Sequence, residues 1–147
     1  MKQLYAPKSE PMRVAGFMSG QGTNLQKIIE RQHEAYEVVA IFSDTKKSNG
    51  GAIAAEHGIP YYCNDLIEYY KKHGHNDKKD MKLREQYDTE TAKLLKMHKI
   101  DVVALCGYMS LLTKPVIGQF LTVNVHPADL RIKNGGKRTY AGCVGAG

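Results

Sequence analysis

Apolar residues fall into short, nearly uninterrupted runs that alternate with stretches of helical period. Val14-Ala15-Gly16-Phe17-Met18 reads as a buried strand followed by a glycine turn. Leu25, Ile28 and Ile29 then recur at helical spacing within 24–32. Tyr36 to Ser43 reads as the second strand, closed by Asp44. Residues 51–57 predict a short Ala-rich helix, with Gly58 at the helix-ending position. Ile59 to Cys63 resumes extended structure, and Pro60 suits the first residues of a strand or a sheet edge.

From Leu66 to Lys99 the pattern is helical with a polar break at 73–77. The later part, with Leu83, Tyr87, Leu94, Leu95 and Met97, predicts a long surface helix. Ile100 to Cys106 is the clearest strand of all. Thr113 and Pro115 predict the cap and first turn of a helix reaching Phe120. Leu121 to Val125 predicts a further strand. Strands spaced by helices give βαβ units, so the fold class is α/β, a mostly parallel sheet flanked by helices.

Such sheets bind ligands outside the carboxyl ends of their strands. Three segments belong at that edge: Ser19–Asn24, Gly107–Leu112 and Asn124–Pro127. In the first, a glycine turn opens a helix, so Gly22, Thr23 and Asn24 bring backbone N–H groups, a hydroxyl and an amide to a helix N-terminus. The helix dipole favours an anion there, above all a phosphate. The dinucleotide fingerprint is incomplete, since Leu25 stands where the third glycine belongs, and no Gly-Lys-Ser/Thr of a P-loop follows. An ordinary glycine turn is the plainer alternative.

In the second segment, Gly107-Tyr108-Met109-Ser110-Leu111-Leu112 is too apolar for an ordinary exposed loop. It either folds under a neighbour or lines a pocket for a flat ligand. In the third, Asn124 and His126 lie on one side of an extended segment, and Pro127 closes the turn. An amide beside an imidazole stabilises an oxyanion and moves a proton in one small volume. A satisfied turn at a strand end uses the same residues.

Composition narrows the classes. At 147 residues and 42% hydrophobic, the chain reads as one domain with a real core. Mean hydropathy is −0.43 and no long apolar run occurs, which excludes a helical membrane span. Residues 1–12 lack the apolar stretch of a secretory signal and read as a short disordered lead-in. Cys63, Cys106 and Cys143 fit neither a disulfide framework nor a zinc site, which points to the cytosol, and Cys106 reads as a small buried hydrophobe.

Net charge is +6, but Arg131, Lys133, Lys137 and Arg138 put four positive charges and no acids into residues 131–138. Lys71, Lys72, Lys78 and Lys79 are interrupted by Asp77 and Asp80 and carry no aromatic platform, so nucleic acid is not the expected partner. His33, His57, His73, His75 and His98 lack ligand spacing and read as surface histidines, and no metal is implied.

The three motifs, in this order, resemble the phosphoribosylglycinamide formyltransferase family, folate-dependent enzymes of purine synthesis. The similarity runs from about Arg13 to Leu130. Related formyltransferases and deformylases share the Asn-x-His-Pro part, whereas the Ser-Gly-x-Gly-Thr-Asn-Leu loop resembles the glycinamide ribonucleotide branch. The resemblance implies a Rossmann-like formyltransferase fold, with residues 13–147 as its N-terminal domain. It implies glycinamide ribonucleotide as substrate and 10-formyltetrahydrofolate as cosubstrate.

Gly22, Thr23 and Asn24 would then hold the ribose phosphate, and Met109, Ser110, Leu111 and Leu112 would line the folate pocket. Arg84 is similar to the family's folate-contacting arginine. Asn124 would steady the tetrahedral intermediate, His126 would protonate the departing folate nitrogen, and Pro127 would touch the glycinamide. Ser110 departs from the arginine that the family often has there.

Family members continue well past the last residue here, so the C-terminal part reads as missing, with the aspartate that supports the histidine. Residues 1–147 alone are therefore expected to transfer little and to self-associate through exposed apolar surface. Asp129 is the last acidic residue of the chain. Two rival functions remain: a phosphate- or nucleotide-binding fragment without chemistry, and a formyltetrahydrofolate deformylase.

Overall fold

The computed structural model describes residues 11–32, 35–125, 133–134 and 137–138, the last four by backbone alone. Residues 1–10 and 126–132 lie outside the described residues, as do His33 and Cys143. His126, Pro127 and Asp129 are thus among those not described.

Five strands form one sheet: β1 (Met12–Met18), β2 (Tyr36–Ser43), β3 (Tyr61–Cys63), β4 (Val102–Leu105) and β5 (Leu121–Asn124). Their order is β3-β2-β1-β4-β5 and every pairing is parallel. Met12, expected in the lead-in, already belongs to β1 and pairs with Tyr36. Pro60 precedes β3, which is an edge strand as expected, and its carbonyl accepts the Ile41 N–H at 3.0 Å. A short antiparallel pair, β6 (Lys133–Asn134) and β7 (Lys137–Arg138), lies apart from this sheet.

The helices are α1 (Thr23–Glu30), α2 (Gly50–His57), α3 (Leu66–Lys72), α4 (Met81–Met97) and α5 (Lys114–Ile117). Alternation along the strands divides the core between the two faces of the sheet. Val14, Met18, Val38, Ile41, Val102 and Ala104 pack with Leu25, Ile29 and Ile53 of α1 and α2. Ala15, Phe17, Ala40, Phe42 and Val103 pack with Leu66, Tyr69, Tyr87, Leu95 and Val116 of α3, α4 and α5. Val38 and Ala40 fall on opposite faces because β2 carries one extra residue, Val39, opposite the Val14–Ala15 step of β1.

Several boundaries differ from expectation. β4 begins at Val102, not Ile100, because Lys99 adopts φ 53° and the Ile100 N–H bonds back to the Leu95 carbonyl at 3.0 Å, closing α4. Assigned helix in α5 covers four residues, although the Phe120 N–H still reaches the Val116 carbonyl at 3.0 Å in the turns beyond. Thr113 precedes α5 without a side-chain capping bond, its hydroxyl being used elsewhere. Of the apolar residues of α4, Leu83, Tyr87 and Leu95 are buried, whereas Met97 is 61% exposed. Gly58 ends α2 at φ 66°, as its position suggested.

Candidate functional site

The order of the sheet reverses between β1 and β4. From β1 the chain moves outward to β2 and β3, then returns to the other side of β1 for β4 and β5. In an open parallel sheet the usual ligand position lies at such a switch point, beside the loops that leave the carboxyl ends of the two strands, here β1 and β4. Ser19–Gly22 leaves β1, and Gly107–Leu112 leaves β4. Phe17, Leu105 and Asn124 stand at one level across β1, β4 and β5, which brings Asn124 to the same edge.

The first loop turns at Gly22, which adopts φ +81°. The backbone conformation there calls for glycine, and a Cβ would stand 2.4 Å from Ile53 Cδ1 and 2.8 Å from Met18 Cε, so both side-chain tips would have to shift. Gly20 needs neither, having no positive φ and open space around a Cβ. Thr23 and Asn24 open α1, which has no side-chain cap and no acidic residue in its first turn. Its first N–H groups lack intrahelical partners and, with the dipole, suit an anion.

Asn49, at the start of α2, holds this loop by its carbonyls. Its backbone N–H donates to the Gly20 carbonyl at 2.9 Å, and its side-chain amide donates to the Gln21 carbonyl at 3.1 Å. Both bonds direct carbonyl oxygens of the loop onto Asn49.

The second loop is bound to the first. The Ser19 N–H donates to the Gly107 carbonyl at 3.2 Å, and the Met109 N–H donates to Ser19 Oγ at 2.9 Å. Ser19 Oγ donates to Asp44 Oδ1 at 2.6 Å, and Ser110 Oγ donates to Asp44 Oδ2. Tyr108 packs edge-on against Phe17, with ring centroids 5.2 Å apart, and burial raises its hydroxyl pKa. The expectation that this apolar loop folds under a neighbour holds for part of it. Tyr108 and Leu112 tuck against the core, while Met109 and Leu111 are 69% and 64% exposed.

Arg84 is 5% exposed, and its Nη1 donates to the Leu111 carbonyl at 2.9 Å. Its guanidinium also lies 5.7 Å from the centre of the Tyr70 ring, and its Nε has no partner among the described residues. The arginine named from sequence thus reaches the second loop through its backbone. Asp88, one turn along α4, accepts the Thr113 N–H at 2.7 Å and the Thr113 hydroxyl at 2.6 Å. Burial raises the Asp88 pKa, opposed by the two Thr113 bonds and the Arg84 charge.

Asn124 is exposed at the end of β5, and the following Val125 N–H donates to the Leu105 carbonyl at 2.9 Å. The strand ends at Asn124, one residue earlier than expected. β5 is an edge strand that leaves Leu121 and Val123 40% and 41% exposed. Among the described residues no group of three His, Cys, Asp or Glu side chains is placed to hold a metal. No described helix is long and apolar enough to cross a membrane.

Cys106 is buried as expected, and burial pushes its thiol up to about 12. His98 is more than a surface histidine, because its Nε2 lies 2.6 Å from the Tyr62 hydroxyl.

Asp44 and Asn49 were absent from the sequence-based site. The rule that picked out the loops after β1, β4 and β5 applies equally to β2, whose carboxyl end leads directly into Asp44. It would have placed that residue at the ligand edge, though not its bonds to Ser19 and Ser110.

The formyl transferase family model matches residues 12–135. A phosphoribosylglycinamide formyltransferase of Saccharomyces cerevisiae is 32% identical over 125 residues, covering 79% of this chain and 58% of that protein. The Haemophilus influenzae protein of the same name is 28% identical over 140 residues, covering 92% of this chain and 60% of its own length. Among solved structures, the Campylobacter jejuni phosphoribosylglycinamide formyltransferase superposes with a TM-score of 0.66 at 25% identity, over 84% of this chain and 62% of that one. The Streptococcus pneumoniae enzyme gives 0.62 at 29% identity, over 80% and 57%. The chain spans about three-fifths of the length of these curated relatives. Matched along most of its length and folded as these structures are, the chain belongs to the formyl transferase family.

Proposed function

We propose that this chain carries the glycinamide ribonucleotide and folate sites of a formyltransferase that moves a formyl group from 10-formyltetrahydrofolate to the substrate amine. The observation that carries this reading is the hydrogen-bonded union of an open helix N-terminus with an apolar loop at the β1/β4 switch point. One half of that union suits a phosphate and the other a flat heterocycle. Gly22, Thr23 and Asn24 take the ribose phosphate. Met109, Ser110, Leu111 and Leu112, with Arg84 behind them, form the folate side.

In the transfer, the glycinamide amine attacks the formyl carbon, and Asn124 donates to the oxygen as it becomes an oxyanion. The bond from that carbon to the folate nitrogen then breaks. His126 protonates the departing nitrogen, the attacking amine gives its proton to water, from which His126 is reprotonated, and Pro127 contacts the glycinamide. The relatives are named for this activity, and purine biosynthesis in the cytosol is the setting we assign.

The test is formyl transfer measured with and without glycinamide ribonucleotide, in the protein carrying these residues. Transfer should require the ribonucleotide, and His126→Ala should lower kcat about 10²-fold or more, the scale of lost general-acid catalysis. Formate release at the same rate without ribonucleotide would overturn the reading in favour of hydrolysis. Turnover within a few-fold of the parent in His126→Ala would remove that residue from the chemistry.

A further inference from the structure

Asp44 is 7% exposed, and its two carboxylate oxygens are used separately. Oδ1 takes the Ser19 hydroxyl at 2.6 Å and Oδ2 takes the Ser110 hydroxyl, so one side chain grips both loops at once. Ser19 passes the grip on, since the same Oγ accepts the Met109 N–H at 2.9 Å. Asp44 is itself fixed, because its carbonyl accepts the Leu66 N–H at the start of α3 at 2.9 Å. Among the described residues no lysine or arginine pairs with this carboxylate, so hydroxyl donors alone offset its burial.

The grip has a consequence for the second loop. Ser110 is turned inward to Asp44, while Met109 and Leu111 on either side stand 69% and 64% exposed. Arg84 holds the Leu111 carbonyl from the other side. The loop is thus pinned at consecutive residues with its apolar side chains outward, which lowers the ordering cost of seating a flat ligand on it.

We propose that Asp44 is a positioning residue that fixes the folate-side loop against the phosphate-side loop, and that Ser110 serves the folate side as its partner. The assignment of the ligands rests on the formyl-transfer reading; the joining of the loops does not. An asparagine at position 44 keeps both contacts, its carbonyl accepting from one serine and its amide donating to the other. The role is therefore one of hydrogen bonding, not charge.

The experiment compares Asp44→Ala, Ser110→Ala, the double variant and Asp44→Asn in the 147-residue chain. Two quantities are read: amide exchange at Met109, and calorimetric affinity for 10-formyltetrahydrofolate. Asp44→Ala and Ser110→Ala should each speed exchange at Met109 tenfold or more and weaken binding about tenfold. The double variant should add less than twofold to either, and Asp44→Asn should stay within threefold of the parent on both. If Asp44→Ala does not fold, Ser110→Ala and Asp44→Asn still decide the matter. Alanine variants within twofold of the parent on both readouts would overturn the proposal, as would an asparagine variant as impaired as alanine. A parent chain that binds no 10-formyltetrahydrofolate would count against the formyl-transfer reading, while exchange at Met109 would still decide the clasp.

Discussion

The Asp88 carboxylate of α4 accepts two hydrogen bonds from Thr113, one from its backbone N–H at 2.7 Å and one from its hydroxyl at 2.6 Å. Thr113 enters α5 immediately after the 107–112 loop, so this pair fixes where that loop returns to the core. It also explains why Thr113 caps nothing, its hydroxyl being donated across to another helix.

Asp88→Ala should lower stability by roughly 2–3 kcal/mol, because a buried N–H and hydroxyl would lose their acceptor. Asp88→Asn should cost far less, since both bonds reach one oxygen, which an amide carbonyl also supplies. The folded-state pKa of Asp88 is raised, so the parent loses stability as pH climbs from the ordinary carboxylate range through that raised value. The stability of Asp88→Asn relative to the parent should therefore increase over the same rise. Urea unfolding between pH 3 and 7 checks both. A difference independent of pH would show that the carboxyl group is not perturbed.

Gly22 and Gly20 should respond in opposite ways. Gly22→Ala places a Cβ at φ +81° and 2.4 Å from Ile53 Cδ1, and should cost about 1–3 kcal/mol from strain and displaced packing. Gly20→Ala meets open space without positive φ and should stay within roughly 0.5 kcal/mol of the parent. Thermal unfolding of the two variants side by side decides this. Equal losses would mean that the turn is not set at Gly22.

Arg84→Ala should destabilise by about 2–3 kcal/mol, through a lost bond to the Leu111 carbonyl and removal of a cation from beside buried Asp88. Hydrogen exchange in 107–112 should quicken with it. A variant as stable as the parent would show that the guanidinium does not hold the loop.

The layers of this fold were legible because runs such as Tyr36–Ser43 keep strand character from end to end, and that strand has the bounds expected of it. Gly22 was legible for the same local reason, since a glycine between a strand and a helix announces its own turn. What stayed hidden was long-range. Asp44 read as the close of a strand, yet it bonds Ser19 and Ser110, 25 and 66 residues away in sequence. Asn49 carried no signal beyond preceding an Ala-rich helix, though it holds the Gly20–Gln21 backbone. Ile100 failed for the opposite reason. The apolar run beginning two residues on, at Val102, suggested strand, but the Ile100 N–H was taken by the cap of α4. Arg84 was marked by resemblance as a folate contact, but nothing in its spacing revealed that it would be buried against the Leu111 carbonyl.

The most direct measurement is the affinity of the 147-residue chain for glycinamide ribonucleotide, by calorimetry, beside the same nucleoside lacking its phosphate. The loop at the end of β1 is the phosphate seat in this account, so the phosphate-free compound should bind far more weakly. The double variant Thr23→Ala, Asn24→Ala should lose about 1.5–3 kcal/mol of ribonucleotide binding, the range for hydrogen bonds to a charged group. That corresponds to roughly a ten- to hundredfold weaker Kd. Equal affinity for the two compounds, or an unchanged Kd in the double variant, would contradict the account.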